Sequence, residues 1–372
     1  MMDRRSFLQT LGAVTLSQLL GACQQNNRTG LQVNLLQKTL PPQLVDKFRS
    51  NSNIPLQISL KSSTQEIFTQ LQKWHKEEHK QEAEKLPPED KPKLPSRLAS
   101  LGDYWLPQAI QQNLIQPLSV DDLNRWSALA PQWQQLVRRD LQGNPSTEGK
   151  IWGAPYRWGA TMIAFRKDKF RDLGWQPQDW SDLWRSELKG HISLPDQPRE
   201  VIGLTLKKLG QSYNLEDLDT ISELPQTLKE LNEQTLFYAS SQYLEPLILG
   251  DTWAAVGWSS DILPALAREP DLDAVLPASG SALWADLWVQ VQPSETINQW
   301  INYWWEDTVA NNLSKFTDTI SPLLSTTLPV KSQSHRLIAA PKQFERSEFL
   351  LPLSPSTLQQ YERLWQAMRI LV

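Results

Sequence analysis

The 372-residue chain is poor in cysteine and histidine, and it has few long apolar runs. Its single cysteine, Cys23, excludes an internal disulfide and any metal site built from several thiolates. No second long apolar run follows residues 1–22, so no membrane-spanning helix is predicted beyond them. The formal net charge of -4 gives none of the basic excess that a nucleic-acid partner requires.

The N-terminus combines the features of a bacterial export signal. The string RRSFL at residues 4–8 resembles a twin-arginine signal, and LGAC at residues 20–23 resembles a lipobox. We therefore expect a signal peptide over residues 1–22, lipidation of Cys23 and a polar tether over residues 23–30. The lipid would anchor the chain in the periplasm, at the outer face of the cytoplasmic membrane. The alternative is a buried N-terminal helix that carries a stray thiol.

From residue 31 onward, apolar runs of strand length alternate with amphipathic segments of helical period, which favours an α/β fold. Strands are predicted at residues 31–36, 56–60, 98–101, 192–194, 252–258 and 283–291, with two more inside 152–166. Helices are predicted from Pro42 onward and at residues 64–74, 104–112, 132–141, 198–209, 218–231, 261–268 and 297–309. A last helix, with Ser354 as its N-cap and Pro355 in its first turn, is predicted to run to Leu371.

Residues 73–97 interrupt this alternation with charges of both signs and four prolines, which predicts an inserted, solvated helix and loop. Within this insertion, His75, Glu78 and His79 match the spacing of inverted zinc peptidases, in which two histidines share a helix face. The alternative is chance occurrence on a wet helix, because no third ligand or dry pocket is indicated nearby. We therefore predict no metal site and no catalytic residue.

Tryptophan is abundant, with 17 residues, and several tryptophans are placed near acids. Trp284 and Asp286 are two residues apart in a predicted strand and so share one of its faces. Trp258 ends another predicted strand, and Glu200 lies in the first turn of a predicted helix. A carboxylate beside an indole suits an organic cation, because the carboxylate accepts its hydrogen bonds and the ring attracts its charge. The alternatives are core tryptophans, helix-start acids and surface ion pairs.

The strings around these residues resemble the spermidine/putrescine-binding family of ABC-importer substrate-binding proteins. They are PYRWG at residues 155–159, DLW at 182–184, KG at 189–190, PREV at 198–201, KLG at 208–210, WS at 258–259 and LWAD at 283–286. The resemblance implies a periplasmic-binding-protein type II fold, with two α/β lobes and a ligand cleft at the hinge. It also implies a small-molecule amine as ligand, a membrane permease as partner, and neither catalysis nor a cofactor.

The same resemblance implies site residues and lobe boundaries. Lobe 1 is expected to hold residues 31–155 and 287–325, and lobe 2 residues 156–286 and 326–372. The positions that match the ligand contacts of the family are Tyr104, Glu200, Trp258, Trp284 and Asp286.

Half of the cation-binding positions of the family differ here. The first loop has Leu36, Gln37 and Thr39 where the family has an aromatic residue, a hydroxyl residue and a tyrosine. A second acid falls at Gln197, another aromatic residue near Ser321 and an amine-contacting serine at Gly102. The alternative function is therefore a lipoprotein with the same fold that has a structural or sensing role and transports no polyamine.

Overall fold

Ten strands form one mixed sheet in the computed structural model, which describes residues 30–83, 94–324, 333–338 and 341–369. The expected signal peptide, Cys23 and all but the last residue of the expected tether lie outside the described residues. Within the described ranges, no helix is both long enough and apolar enough to cross a bilayer.

The secondary structure alternates between strands and helices from Leu31 onward, as predicted. The strands are β1 (Leu31–Leu36), β2 (Leu56–Lys61), β3 (Ser96–Gly102), β4 (Arg138–Arg139), β5 (Lys150–Ile151), β6 (Ala154–Arg166), β7 (Ile192–Pro195), β8 (Thr235–Ala239), β9 (Ala254–Trp258), β10 (Leu272–Val275), β11 (Ala282–Gln290) and β12 (Glu348–Phe349). The helices are α1 (Pro42–Ser52), α2 (Thr64–Ala83), α3 (Leu106–Gln111), α4 (Pro131–Val137), α5 (Lys167–Leu173), α6 (Pro198–Lys208), α7 (Leu224–Gln234), α8 (Glu245–Leu249), α9 (Ser259–Leu266), α10 (Glu295–Trp304), α11 (Asp307–Thr317), α12 (His335–Ile338), α13 (Pro341–Glu345) and α14 (Pro355–Arg369).

The order of the strands places two parallel groups on either side of two long strands. The sheet runs β2-β1-β3-β11-β6-β9-β7-β8, with β10 beside β6 and β12 beside β11. Strands β1, β2 and β3 are parallel, and so are β7, β8 and β9. Strands β6 and β11 run antiparallel to each other and to the groups they join. The two halves of the sheet are therefore connected through β6 and β11.

The buried apolar side chains form two clusters: the larger extends from the first half of the sheet across β6 and β11 to α9 and β10, and the smaller lies around α6, α7 and α14. In the larger cluster, the predicted face of α1 is buried through Leu44, Val45 and Phe48. Trp300 of α10 packs edge-on against Phe48, with ring centroids 4.9 Å apart. In the smaller cluster, α14 packs on α6 and α7 and buries Tyr361. Several of the 17 tryptophans are thus ordinary core residues, as the alternative interpretation of their abundance stated.

Residues 152–166, which were predicted to hold two strands, contain one long strand instead. β6 passes through Trp158 and Gly159 without a break. A Cβ at Gly159 would collide with Ser259 Oγ and with the ring of Trp284. The glycine therefore marks a close approach of side chains to a continuous strand, rather than a turn.

Three predicted helices have different boundaries in the structure. The prediction over residues 297–309 is split into α10 and α11, because Glu306 is extended (φ -60°, ψ 137°). α4 ends at Val137, since Arg138 turns extended and pairs with β5. The first residues of the prediction over 218–231 form a separate 3₁₀ turn, Leu218–Thr220. The predicted cap of α14 is confirmed, because Thr357 N–H donates to Ser354 Oγ at 3.1 Å.

The predicted insertion is attached to the core at both ends. α2 continues past Trp74, whose indole is 1% exposed. Arg97 lies within β3, with its guanidinium 2.5 Å from Glu77 Oε2 and 5.4 Å from the centroid of the Trp74 ring. The prediction of a wholly solvated excursion is therefore wrong at both ends. Residues 84–93, between them, lie outside the described residues.

Candidate functional site

A cavity of about 350 Å³ lies where the carboxyl ends of strands from both halves of the sheet meet. β3 ends at Gly102, β7 at Pro195 and β9 at Trp258, and residues at or just after these ends form the walls. Ligands of open α/β sheets bind in such a crevice, because loops from neighbouring strands converge there. The lining includes Tyr104, Trp105, Gln197, Glu200, Trp258 and Trp284.

Glu200 brings a buried carboxylate to this cavity from the first turn of α6. Its side chain accepts hydrogen bonds from Thr161 Oγ1 at 2.9 Å and from Trp258 Nε1 at 3.3 Å. Burial raises the pKa of Glu200, and the two donors oppose that rise because they favour the charged form. The carboxylate is thus fixed in orientation, and it can accept further hydrogen bonds from a cationic ligand.

Two half-buried tryptophans form the aromatic walls. Trp258 is fixed by its backbone N–H, which donates to Tyr243 Oη at 3.1 Å, and by an edge-on contact between the two rings. Trp284 lies in the middle of β11, opposite Gly159 of β6. The missing side chain at Gly159 leaves the space that the Trp284 ring occupies. Both rings line the cavity beside Glu200, so a cation bound there would meet aromatic faces.

Tyr104 lies in the 3₁₀ turn Asp103–Trp105 that follows β3, and its side chain is 54% exposed. Its ring meets that of Trp105 edge-on at 6.1 Å. Since Tyr104 also lines the cavity, it forms part of the rim. Four of the five residues predicted from the sequence therefore surround one cavity.

Asp286, the fifth predicted residue, is already paired within the protein. Arg157, its neighbour in the register of β6 and β11, donates from Nε to Asp286 Oδ2 at 2.6 Å and also from Nη2. The two side chains are 7% and 6% exposed, and Asp286 is not among the residues that line the cavity. Contrary to the prediction, Asp286 does not present a free carboxylate to a ligand.

Asp103 lines the cavity, although the sequence interpretation did not select it. Its Oδ1 accepts a hydrogen bond from Ala285 N–H at 2.9 Å, and the residue is 7% exposed. Burial is the main cause that raises the pKa of Asp103 to about 7; Asp286 adds to the rise, while the Ala285 hydrogen bond and Arg139 oppose it. The available signal was its position two residues after the predicted strand 98–101 and directly before Tyr104. Arg157 and Thr161 were also missed.

The residues that differ from the family's ligand-binding positions do not all lie at the same cavity. Gln197 lines the cavity, whereas Leu36, Gln37 and Thr39 do not. Thr39 Oγ1 donates instead to the carbonyl of Leu36 at 2.8 Å. Ser321 lines a separate cavity of about 220 Å³. The first loop therefore contributes no ligand-facing side chain to the cavity that contains Glu200.

The histidine pair of α2 lies apart from this cavity. His75 Nε2 and His79 Nε2 are 3.1 Å apart, and neither residue lines the cavity. Within the part of the chain that the structure describes, no group of three or more histidine, cysteine, aspartate and glutamate side chains is placed to hold a metal ion. The zinc-hydrolase alternative therefore has no complete ligand set among those residues.

Comparison with known families and proteins places this geometry in context. The sequence-family model described as bacterial extracellular solute-binding protein matches residues 98–341. The spermidine/putrescine-binding periplasmic protein of Escherichia coli K12 is 25% identical over 247 residues, which are 66% of this chain and 63% of that protein. The chain thus spans under two thirds of the length of this relative. A putrescine/cadaverine-binding protein of Pseudomonas aeruginosa is 31% identical over 149 residues, 37% of this chain and 42% of that one.

Solved structures support the fold. The substrate-binding protein of a spermidine/putrescine ABC transporter from Streptococcus pneumoniae has a TM-score of 0.77 at 19% identity, covering 92% of this chain and 99% of that one. A lipoprotein of Treponema pallidum has a TM-score of 0.68 at 16% identity, with coverages of 91% and 99%. The expected periplasmic-binding-protein type II fold is confirmed.

Proposed function

The chain belongs to the bacterial extracellular solute-binding proteins, and from this premise we propose that it binds a polyamine of the putrescine or spermidine class and delivers it to the permease of an ABC importer. The relatives support the choice of ligand, since their names state that they bind putrescine, cadaverine or spermidine. The role is binding and presentation, with no bond made or broken.

The observation that carries this proposal is the Glu200 carboxylate, which Trp258 Nε1 and Thr161 Oγ1 hold in an aromatic-walled cavity. An ammonium group can donate charged hydrogen bonds to this buried carboxylate, which forms no ion pair among the described residues although the charge of Arg199 acts on it. The methylene chain of the polyamine would pack against Trp258 and Trp284, because aromatic faces attract cations and cover apolar surface. Tyr104 would close the open side of the cavity over the ligand.

We further propose that residues 31–155 and 287–325 form one lobe and residues 156–286 and 326–372 the other. The two parallel groups of strands and their connection through β6 and β11 support this division. A ligand in the cavity would touch Tyr104 of the first lobe and Glu200 of the second, and so favour closure about the hinge. The permease would bind the closed form.

Calorimetry on the purified protein with 1,4-diaminobutane, spermidine, butylamine and uncharged butanol tests the proposal. We expect the amines to bind and butanol not to bind. Removing one partner of a buried charged contact costs about 2–5 kcal/mol, so Glu200→Gln should weaken amine binding by roughly 30-fold or more. Glu223→Gln, at an exposed glutamate before α7, is the matched control and should leave affinity unchanged.

Amine affinity equal in the Glu200→Gln variant and the wild type would remove Glu200 from the site. If no amine binds the folded wild type, the alternative of a structural or sensing lipoprotein with this fold gains support. A thermal melt of each variant, recorded without ligand, separates loss of binding from loss of folding.

A further inference from the structure

The carboxylate of Asp286 has an internal cation. Arg157 contacts it through two nitrogens, and both side chains are buried. The same guanidinium lies 5.5 Å from the centroid of the Trp284 ring. A ligand ammonium placed at Asp286 would therefore compete with Arg157 for the carboxylate and meet its positive charge at close range.

Asp103, unlike Asp286, is a carboxylate that lines the cavity and has no ion-pair partner among the described residues. It is 7% exposed, and one carboxylate oxygen accepts the Ala285 N–H. A buried carboxylate without an ion-pair partner is costly, and burial raises the pKa of Asp103 to about 7 although the charge of Arg139 opposes that rise.

The second acid of the cavity, Glu200, comes from the other group of strands. Asp103 follows β3, whereas Glu200 lies on α6, which follows β7. Arg199 also reaches the cavity, but its guanidinium donates to Tyr361 Oη at 2.7 Å and to Asn214 Oδ1 at 2.8 Å rather than to either acid. The two acids thus line the same cavity from different groups of strands.

We propose that the ligand is a linear dication that bridges Glu200 and Asp103, with Arg157 serving as the permanent counter-charge of Asp286. One ammonium group binds Glu200 beside Trp258, and the other binds Asp103. The assignment rests on the proposed amine-binding function and deepens it, because it names the pair of acids that would select a diamine over a monoamine.

Calorimetry at pH 8 with 1,4-diaminobutane and butylamine tests this pairing, because the two probes have the same carbon chain and differ in one ammonium group. We expect the wild type to bind the diamine at least tenfold more tightly than the monoamine. Asp103→Asn should weaken diamine binding by roughly 30-fold and change butylamine binding less than threefold. Arg157→Gln/Asp286→Asn removes the ion pair without leaving a lone buried charge, and it should keep the preference for the diamine.

The outcomes separate the two proposals. If butylamine and the diamine bind the wild type equally, or if Asp103→Asn keeps the preference, the dication assignment fails while amine binding stands. If the double variant loses the preference and Asp103→Asn does not, Asp286 is the second acid. If neither amine binds, the proposed function fails together with this inference.

Discussion

At the scale of single residues, the two acids that line the cavity differ in the hydrogen bonds they accept. Glu200 accepts two side-chain hydrogen bonds, whereas Asp103 accepts a backbone hydrogen bond from Ala285 and forms no ion pair among the described residues. Side chains that serve a ligand are commonly retained at the expense of folding stability. Asp103 has this character, because its charge is unfavourable in the empty protein.

The effect of Asp103 on stability should depend on pH in a defined direction. Its pKa rises from 3.8 to about 7 on folding, so the folded state resists ionisation. The resulting loss of stability begins as the pH rises above about 4 and is complete above about 7, at on the order of 4 kcal/mol. Asp103→Asn should therefore unfold at higher urea than the wild type at pH 8, with the difference vanishing near pH 4.

Asp286 and Arg139 act on the charge of Asp103, together with the Ala285 N–H, and all three are unchanged in this variant. Asp172→Asn, at an exposed aspartate in α5, serves as the control and should show no such pH-dependent gain. Equal stability of Asp103→Asn and the wild type from pH 4 to pH 8 would contradict a raised pKa at Asp103.

Three residues of the cavity were selected from local pattern as well as from the family resemblance: Glu200 is in the first turn of a helix, Trp258 ends a strand, and Trp284 lies in a strand. Tyr104 was selected from the resemblance alone. The state of Asp286 could not be predicted, because its partner Arg157 is 129 residues away in the chain. Only the register of β6 against β11 brings the two together.

At the scale of elements, α2 shows how a charged segment is held to the core. Its outer face carries the charges that suggested a solvated insertion, but Trp74 is fully buried and contacts Arg97 of β3. Arg97 is also paired with Glu77, one turn after Trp74. The helix therefore packs on the larger hydrophobic cluster, although its charged composition alone predicts that it is exposed to solvent.

Trp74→Ala should destabilise the protein by about 3–5 kcal/mol, because it leaves a large cavity and removes the contact with Arg97. Lys76→Ala, two residues further along the same helix and exposed, should change stability by less than about 0.5 kcal/mol. Urea unfolding of both variants measures the difference. Similar midpoints for the two variants would show that α2 is as solvated as its composition suggested.

The elements themselves were largely predictable, since their apolar periods alternate between two and 3.6 residues. The sequence did not predict where a strand or helix continues or is interrupted when that depends on residues far away in the chain. β6 continues through Gly159, and Trp284, from a strand much later in the chain, occupies the space that a side chain there would fill. α10 and α11 separate at Glu306, although their helical period continues across it.

At the scale of the whole molecule, two groups of parallel strands share one sheet, and the strands that connect them, β6 and β11, also carry residues of the cavity wall or residues that hold it. β11 carries Trp284, and β6 carries Thr161 and Arg157. Trp284 lines the cavity directly, and Thr161 holds Glu200 in place. If the halves close as proposed, binding at the cavity would act on the same two strands that connect them.

The anchor proposed from the sequence is tested on the whole chain. Cys23 ends a string that resembles a lipobox, so Cys23→Ser should move the protein from the membrane pellet to the soluble extracytoplasmic fraction. Immunoblots of both fractions measure the change. Retention of the variant in the pellet would contradict lipidation at Cys23, and wild-type amine affinity in the released protein would show that the fold is intact.

The ion pair between Arg157 and Asp286 also affects how the ligand specificity of this protein could change by mutation. Losing Arg157 alone leaves a buried carboxylate without its cation, which costs roughly 3–5 kcal/mol. An amine that bound Asp286 would restore part of that stability, by an amount that grows with the logarithm of its concentration. The amount of folded protein in a variant that lacks Arg157 would then depend on the supply of the amine that it binds.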